Sequence, residues 1–316
     1  MTSRHLIDPE LLPGLDLIPQ FTLSDEMLKI INQQMGQMLG SAPSPELEGE
    51  VEERQIPSPD GHAITVMIHR PRGTADILLP AVLHMHGGGY IMGSAKLMLV
   101  GAHQIAIAAK CVVVSVDYRL APQTRHPGPV EDCYAALQWL WENAPSLGVD
   151  RERIAVAGES AGGGLAAATA LMARDRGDIR LVHQHLIYPM LDDRTCVRDP
   201  HPHAGQVVWT PESNRFGWAA LLGCEPGGAD ISPYAAAGRA PDLSGLPATY
   251  IHVGALDLFV EENIEYARRL LHAGVPTELH VYPGAYHAFE VCAEAVLVQQ
   301  ANHRSMTALR RALGTL

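Results

Sequence analysis

From about residue 80 to the C-terminus, short and almost wholly apolar runs alternate with longer helix-like stretches, and few architectures accommodate that rhythm. The runs are Pro80–Met85, Cys111–Val116, Ile154–Ala157, Leu181–Tyr188, Ala248–Val253 and Glu278–Tyr282. They are too short for helices and lack the in–out alternation of a half-exposed strand, so they suit strands covered on both faces. Between and after them lie Leu97–Ala109, Val130–Asn143, Ala161–Arg174, Glu261–His272 and Ala293–Leu313, which read as helices. Strand and helix in turn imply right-handed crossovers, hence an α/β fold with a mostly parallel central sheet and helices on both faces. Upstream, Val51–Pro57 and His62–Arg70 flank Pro59-Asp60-Gly61, a hairpin turn signal.

Two segments break the rhythm. Residues 1–45 carry one amphipathic helix, with Ser24 as N-cap and Leu28, Ile31, Met35 and Met38 on one face, before the Pro-rich linker Ser41–Pro45. Residues 191–240 place about fifty residues, rich in Pro, Gly, His and Trp, between two sheet strands, far beyond an ordinary connection. The expected organisation is an N-terminal cap segment (1–45), a first core part (46–190), a cap insertion (191–240) and a second core part (241–316), with both additions at the carboxyl end of the sheet. The length of 316 residues fits one large core with such an appendage.

Composition narrows the class. With 47% apolar and 18% charged residues the chain has ample material to bury, which excludes general disorder. A formal charge of −12, with no Lys/Arg run to reverse it locally, argues against a nucleic-acid partner. The five cysteines (Cys111, Cys133, Cys196, Cys224, Cys292) are widely spaced and show no metal-ligand pattern, so they read as reduced thiols. The first thirty residues lack signal-peptide features, and no apolar run is long enough to span a bilayer. A cytoplasmic location is expected.

The strand Arg153–Ala157 runs into Gly158-Glu159-Ser160-Ala161-Gly162, which is G-x-S-x-G in a strand–turn–helix context. The glycines permit a turn sharp enough to hold the serine hydroxyl above the sheet. A second cluster, His86-Gly87-Gly88-Gly89-Tyr90, follows the strand Pro80–Met85. Its unencumbered backbone N–H groups suit a developing oxyanion, making Gly88, Gly89 and Ala161 the candidate donors. The rival is a nicotinamide-dependent oxidoreductase, in which Gly87, Gly89 and Gly93 form a dinucleotide loop and Asp117 binds the ribose. Its glycine spacing is imperfect and it leaves the serine motif unexplained.

His86-Gly87-Gly88-Gly89, Asp117-Tyr118-Arg119-Leu120-Ala121-Pro122, Gly158-Glu159-Ser160-Ala161-Gly162-Gly163 and Gly284-Ala285-Tyr286-His287 together resemble the bacterial hormone-sensitive-lipase family of α/β-hydrolase esterases, in order and spacing, over residues ~50–316. Tyr188-Pro189-Met190-Leu191-Asp192-Asp193-Arg194 and Cys133-Tyr134-Ala135-Ala136-Leu137 are similar to its heroin-esterase-like members. The resemblance implies an α/β-hydrolase fold with a helical cap and hydrolysis of small carboxylic esters through an acyl-enzyme, with no cofactor or metal; the N-terminal apolar stripe is expected to form part of the substrate pocket and so to limit the ester to short or medium chains. A serine needs a base and an orienting acid. His287 lies after the strand Glu278–Tyr282, and Asp257, after Ala248–Val253, preserves the order Ser…Asp…His and matches the family's acid. Ser160, Asp257 and His287 are therefore the expected catalytic residues, with Asp192, which also follows a strand, as the competing acid.

Other candidates receive structural readings. The H-x-H pairs His84/His86, His183/His185 and His201/His203 lack a carboxylate or Cys to complete a metal shell. His86 is expected to orient the glycine loop, Asp117 and Arg119 to form a buried pair, and Glu159 to act as a structural acceptor. Departures from the family pattern are Leu258-Phe259-Val260-Glu261 after the acid, Ala288 after the histidine and Gln123 after Ala121-Pro122. A ligand-binding receptor on the same fold, like the gibberellin receptors that have lost the histidine, is the second alternative; here His287 is present. The partner expected is a small-molecule ester, with a homodimer left open as another place for the N-terminal apolar stripe. Acyl and alcohol preference are not legible.

Overall fold

The computed structural model describes residues 3–18, 22–41, 47–74 and 77–316, with only the backbone described at 38–41. The strands are β1 (Gly49–Pro57), β2 (Ala63–Pro71), β3 (Leu79–Met85), β4 (Val112–Asp117), β5 (Val149–Glu159), β6 (His183–Ile187), β7 (Ala248–Gly254) and β8 (Thr277–Tyr282). They form one sheet in the order β1-β2-β4-β3-β5-β6-β7-β8. The pairings β1/β2 and β2/β4 are antiparallel, and every later pairing is parallel. The hairpin turn forms as expected: Ser58 N–H donates to the His62 carbonyl at 3.0 Å, and Gly61 takes φ +89°.

The helices are α1 (Gly14–Leu17), α2 (Asp25–Ser41), α3 (Leu99–Ala109), α4 (Gly128–Asn143), α5 (Ala161–Arg176), α6 (Pro211–Leu222), α7 (Val260–His272) and α8 (Val296–Leu313). Strand alternation sorts them onto two faces. Leu83, Val112, Val114, Ile154 and Val156 join a cluster with α4, α5 and α7, whereas Val82, Val113, Ala155 and Ala157 pack with α3 and α8. A mostly parallel sheet covered on both sides is the expected architecture.

Three details differ from the sequence expectation. β5 starts at Val149 rather than Ile154, because Val149 pairs with Leu79 ahead of a register shift. β6 stops at Ile187, where Tyr188 turns to φ +35°. Several strands assumed to be wholly apolar bury polar rings, among them His84, His183, His185 and His252.

The N-terminal segment divides. Ser24 caps α2 as expected, its hydroxyl accepting from Met27 N–H at 3.1 Å. Leu28 and Ile31 join the main cluster and Met35 packs against it, while the side chain of Met38 and most of the Pro-rich linker lie outside the described residues. Residues 3–18 instead pack through Ile7, Leu11 and Leu15 on Tyr282, Ala285, Tyr286 and Phe289. The stretch 191–240 contains α6 and two short 3-10 turns, Asp193–Cys196 and Ala237–Arg239. Among the described residues no helix is long and apolar enough to cross a membrane.

Candidate active site

β5 ends at Glu159 and α5 begins at Ala161, so Ser160 must reverse the chain within one residue. It does so at φ +57°, ψ −120°, a region costly for a side-chain-bearing residue. Neighbouring positions must be bare. A Cβ at Gly158 would lie 2.4 Å from the Gly162 carbonyl, and one at Gly162 would lie 2.0 Å from the Met85 carbonyl. Backbone bonds clamp the turn, with Ser160 N–H donating to Ile187 at 2.9 Å and Met190 N–H donating to Ser160 at 2.9 Å.

His287 and Asp257 come from the loops after β8 and β7. Those loops are joined by bonds from Ala255 N–H to the Tyr282 carbonyl at 2.8 Å and from Leu256 N–H to the Ala285 carbonyl at 2.9 Å. His287 Nδ1 stands 2.7 Å from Asp257 Oδ2, and His287 Nε2 stands 3.0 Å from Ser160 Oγ. The second carboxylate oxygen of Asp257 accepts from Phe259 N–H at 2.9 Å. The geometry thus joins the three residues named from the sequence in one hydrogen-bonded chain, with Asp257 fully buried.

Asp192 is engaged elsewhere. Its two oxygens accept from Arg194 at 2.8 and 2.7 Å and from Arg198 at 2.7 Å.

The glycine loop lies against the elbow: a Cβ at Gly87 would be 3.6 Å from that of Ser160. Gly88 and Gly89 take φ +128° and +61°, and a Cβ on Gly89 would meet the Trp209 ring at 2.2 Å. Among the described residues no hydrogen bond takes the backbone N–H of Gly88, Gly89 or Ala161. His86 fixes the loop's start. Its Nδ1 is 2.8 Å from the Gly87 carbonyl, its ring stacks on Tyr118 at 4.2 Å, and burial lowers its pKa to about 4, keeping it neutral.

Glu159 turns away to the sheet, both oxygens 3.0 Å from His84 Nε2. Burial disfavours charge on His84, but this carboxylate outweighs it and raises the pKa. The remaining H-x-H pairs have partners of their own: His183 Nε2 is 3.3 Å from His185 Nδ1, and His201 Nδ1 accepts from Ala204 N–H at 2.8 Å.

The expected Asp117–Arg119 pair does not form. Arg119 reaches Asp132 on α4 at 2.7 Å and Asp60 in the hairpin turn at 3.0 Å, while exposed Asp117 accepts from Ala95 N–H at 2.9 Å.

Three aromatic side chains that the sequence did not single out surround His287. Tyr188 and Phe259 meet its ring edge-on at 4.7 and 5.3 Å between centroids, and Trp209 lies at 6.4 Å. Phe259 belongs to the run that departs from the family pattern, so the departure supplies a wall of the histidine's pocket. Its adjacency to Asp257 was the available signal; Trp209 sits in an aperiodic stretch that offered none.

Residues 82–291 match a family described as alpha/beta hydrolase fold. The chain belongs to the α/β-hydrolase family. Within it, the likeness of the four motifs to the hormone-sensitive-lipase branch holds. The chain is similar to esterase LipI of Mycobacterium tuberculosis, at 36% identity over 98% of this chain and 96% of that protein. It is similar to carboxylesterase NlhH of the same species, at 36% identity over 98% of each. Among solved structures, a bacterial heroin esterase matches with a TM-score of 0.89 and 37% identity over 99% of both chains.

Proposed function

We propose that this α/β-hydrolase is a serine carboxylesterase acting on short- to medium-chain esters through an acyl-enzyme, with Ser160 as nucleophile. The observation that carries it is the chain Ser160–His287–Asp257, closed at 3.0 and 2.7 Å around a serine at positive φ. The esterase names of its relatives support the class.

In this mechanism the Ser160 hydroxyl gives its proton to His287 Nε2 as Oγ attacks the ester carbonyl. Asp257 accepts from the Nδ1–H, holding the ring in the tautomer that leaves Nε2 basic and stabilising the imidazolium. Gly88, Gly89 and Ala161 donate to the tetrahedral oxyanion. His287 returns the proton to the leaving alkoxide, then activates the water that releases the acid. Every step is a proton transfer or an acyl transfer, so no redox cofactor takes part.

Residues 1–45 and 191–240 are proposed as the cap. Trp209 supports this: its ring contacts the glycine loop and neighbours His287, shortening the space for an acyl chain. A reducing, cytoplasmic location is supported by the five unbridged cysteines. The His287 contacts favour an enzyme over a ligand-binding receptor. The deciding experiment is hydrolysis of a p-nitrophenyl ester length series by the protein and by Ser160→Ala. Burst release of nitrophenol with a trapped acyl group on Ser160 is expected, and wild-type turnover by Ser160→Ala would overturn the proposal.

A further inference from the structure

Directly after β6, Tyr188 takes φ +35°, a backbone conformation that a bulky side chain avoids. Strain of this kind persists only where the surroundings over-determine the residue, and it collects at functional sites. Here the surroundings form a closed circuit with one residue of β7. Tyr188 N–H donates to the His252 carbonyl at 2.7 Å. At the far end of the side chain the Tyr188 hydroxyl donates to the Glu290 carboxylate, and Glu290 Oε1 stands 2.9 Å from His252 Nε2. Burial, and then the nearby Glu290 and Glu159, push the pKa of the hydroxyl up, so it keeps the proton it donates. His252 is buried and fixed in turn, its Nδ1 3.2 Å from the Tyr250 hydroxyl.

This circuit borders both Ser160 and His287. The Tyr188 ring meets the His287 ring edge-on, with centroids 4.7 Å apart. Its chain neighbours clamp the serine, since Ile187 accepts from Ser160 N–H and Met190 N–H donates to Ser160, each at 2.9 Å. Glu290 stands three residues after His287, in the short 3-10 turn Phe289–Val291. Between them Ala288 takes φ +58°, which disfavours a side chain, and the Glu290–His252 contact ties the turn to β7. One carboxylate therefore joins the loop that carries His287, and the ring that His287 packs on, to the same strand residue. The bond from Nδ1 to Asp257 leaves the imidazole free to swing about it, and the edges of Tyr188 and Phe259 oppose that swing.

We propose that Glu290 is a positioning residue for His287, acting through Tyr188: it holds the tyrosine ring against the imidazole and so keeps Nε2 directed at Ser160 Oγ. The inference rests on the reading of Ser160, His287 and Asp257 as the machinery of ester hydrolysis. The role is geometric, so a neutral side chain of the same shape serves it. The carbonyl oxygen of a glutamine accepts from the Tyr188 hydroxyl, and its amide group donates to His252 Nε2 in the other tautomer of that ring. An alanine offers neither.

Steady-state kinetics on p-nitrophenyl esters test the role, with a thermal midpoint for each variant to show that it is folded. Glu290→Ala and Tyr188→Phe should each lower kcat about tenfold and leave KM within about twofold, because a displaced imidazole slows proton transfer without altering the pocket that holds the ester. Both substitutions break one link, so the double variant should be no slower than the slower single one. Glu290→Gln should bring kcat back to within about threefold of the parent, with the acid limb of kcat/KM where it was. Equal losses in Glu290→Gln and Glu290→Ala, with a displaced acid limb, would show that the carboxylate acts by its charge and would overturn the positioning role. Unchanged kcat in Glu290→Ala, or losses that add in the double variant, would overturn it too. If Glu290→Ala does not fold, Tyr188→Phe, which removes one oxygen, and Glu290→Gln still decide. A parent that hydrolyses no ester would bring down the esterase reading and this inference with it, whereas an active parent with equally active variants would bring down the inference alone.

Discussion

The Tyr286 hydroxyl donates to the Leu11 carbonyl at 2.8 Å, tying the N-terminal segment to the residue beside His287. A second tie runs from Asp8 N–H to the Gly284 carbonyl at 3.1 Å. The loop that holds His287 is thus backed by residues 3–18 rather than by the sheet alone. Tyr286→Phe leaves the buried Leu11 carbonyl only the weak Cys292 thiol donor at 3.5 Å, so it should cost about 1 kcal/mol, read as a lower urea midpoint. Removing residues 1–18 should go further and lower kcat, since Tyr286 and Phe289 lose their cover. A truncated enzyme with full kcat would show that the strap does not position His287.

Substitutions at the three hydrogen-bonded residues should separate them from Asp192. Ser160→Ala and His287→Ala should each lower kcat by roughly 10⁴–10⁶ in a folded protein, and Asp257→Asn by about 10⁴. Asp192→Asn loosens Arg194 and Arg198, so it should reduce stability while leaving kcat within a few-fold of wild type. The opposite ranking of the two Asp→Asn variants would move the acid to Asp192.

Trp209 should set the acyl length. Trp209→Ala opens the space above Gly89 and should shift the optimum of kcat/KM towards longer acyl chains. Gly89→Ala should cut kcat on every ester, because its Cβ would collide with the ring and the left-handed backbone disfavours a side chain. An unchanged length profile in Trp209→Ala would remove the tryptophan from the acyl pocket.

Glu262, in the first turn of α7, carries a pH dependence of stability. Burial raises its pKa to about 8, against bonds from the Thr195 hydroxyl and from Leu191 N–H at 2.6 Å that favour its charged form. The folded state therefore holds a proton that the unfolded chain releases at lower pH. Stability is fully present below the ordinary glutamate range and is lost as pH rises to about 8. Glu262→Gln should flatten this slope, measured as urea midpoints across a pH series. A slope identical to wild type would show that Glu262 is not its source.

What the sequence made legible was local. The elbow could be read because the turn and the small residues it requires are contiguous at Gly158–Gly162, and the strands because short runs dominated by apolar residues, such as Cys111–Val114 and Ile154–Ala157, admit few other fates. Contacts between distant segments were less accessible. Asp117 and Arg119 are two residues apart, a spacing that an extended strand would place on one face, yet β4 ends at Asp117, so strand alternation does not carry on to Arg119, which finds Asp132 thirteen residues on. Residues 3–18 have no periodicity to announce what they cover, and the periodicity of α2 drew attention to the other half of the segment. The polar rings on the inner face of the sheet were hidden by the assumption that a covered strand must be hydrocarbon throughout.

Ser160 occupies a backbone conformation that suits glycine, and this sets the direction in which idleness would pull the sequence. Holding a side chain at φ +57° costs of the order of 1–3 kcal/mol, so Ser160→Gly should be inert yet melt higher than the parent. Stability and turnover are opposed at this single position. A lineage relieved of chemistry would gain by shedding the hydroxyl, and the serine is a thermodynamic burden carried only where it is used.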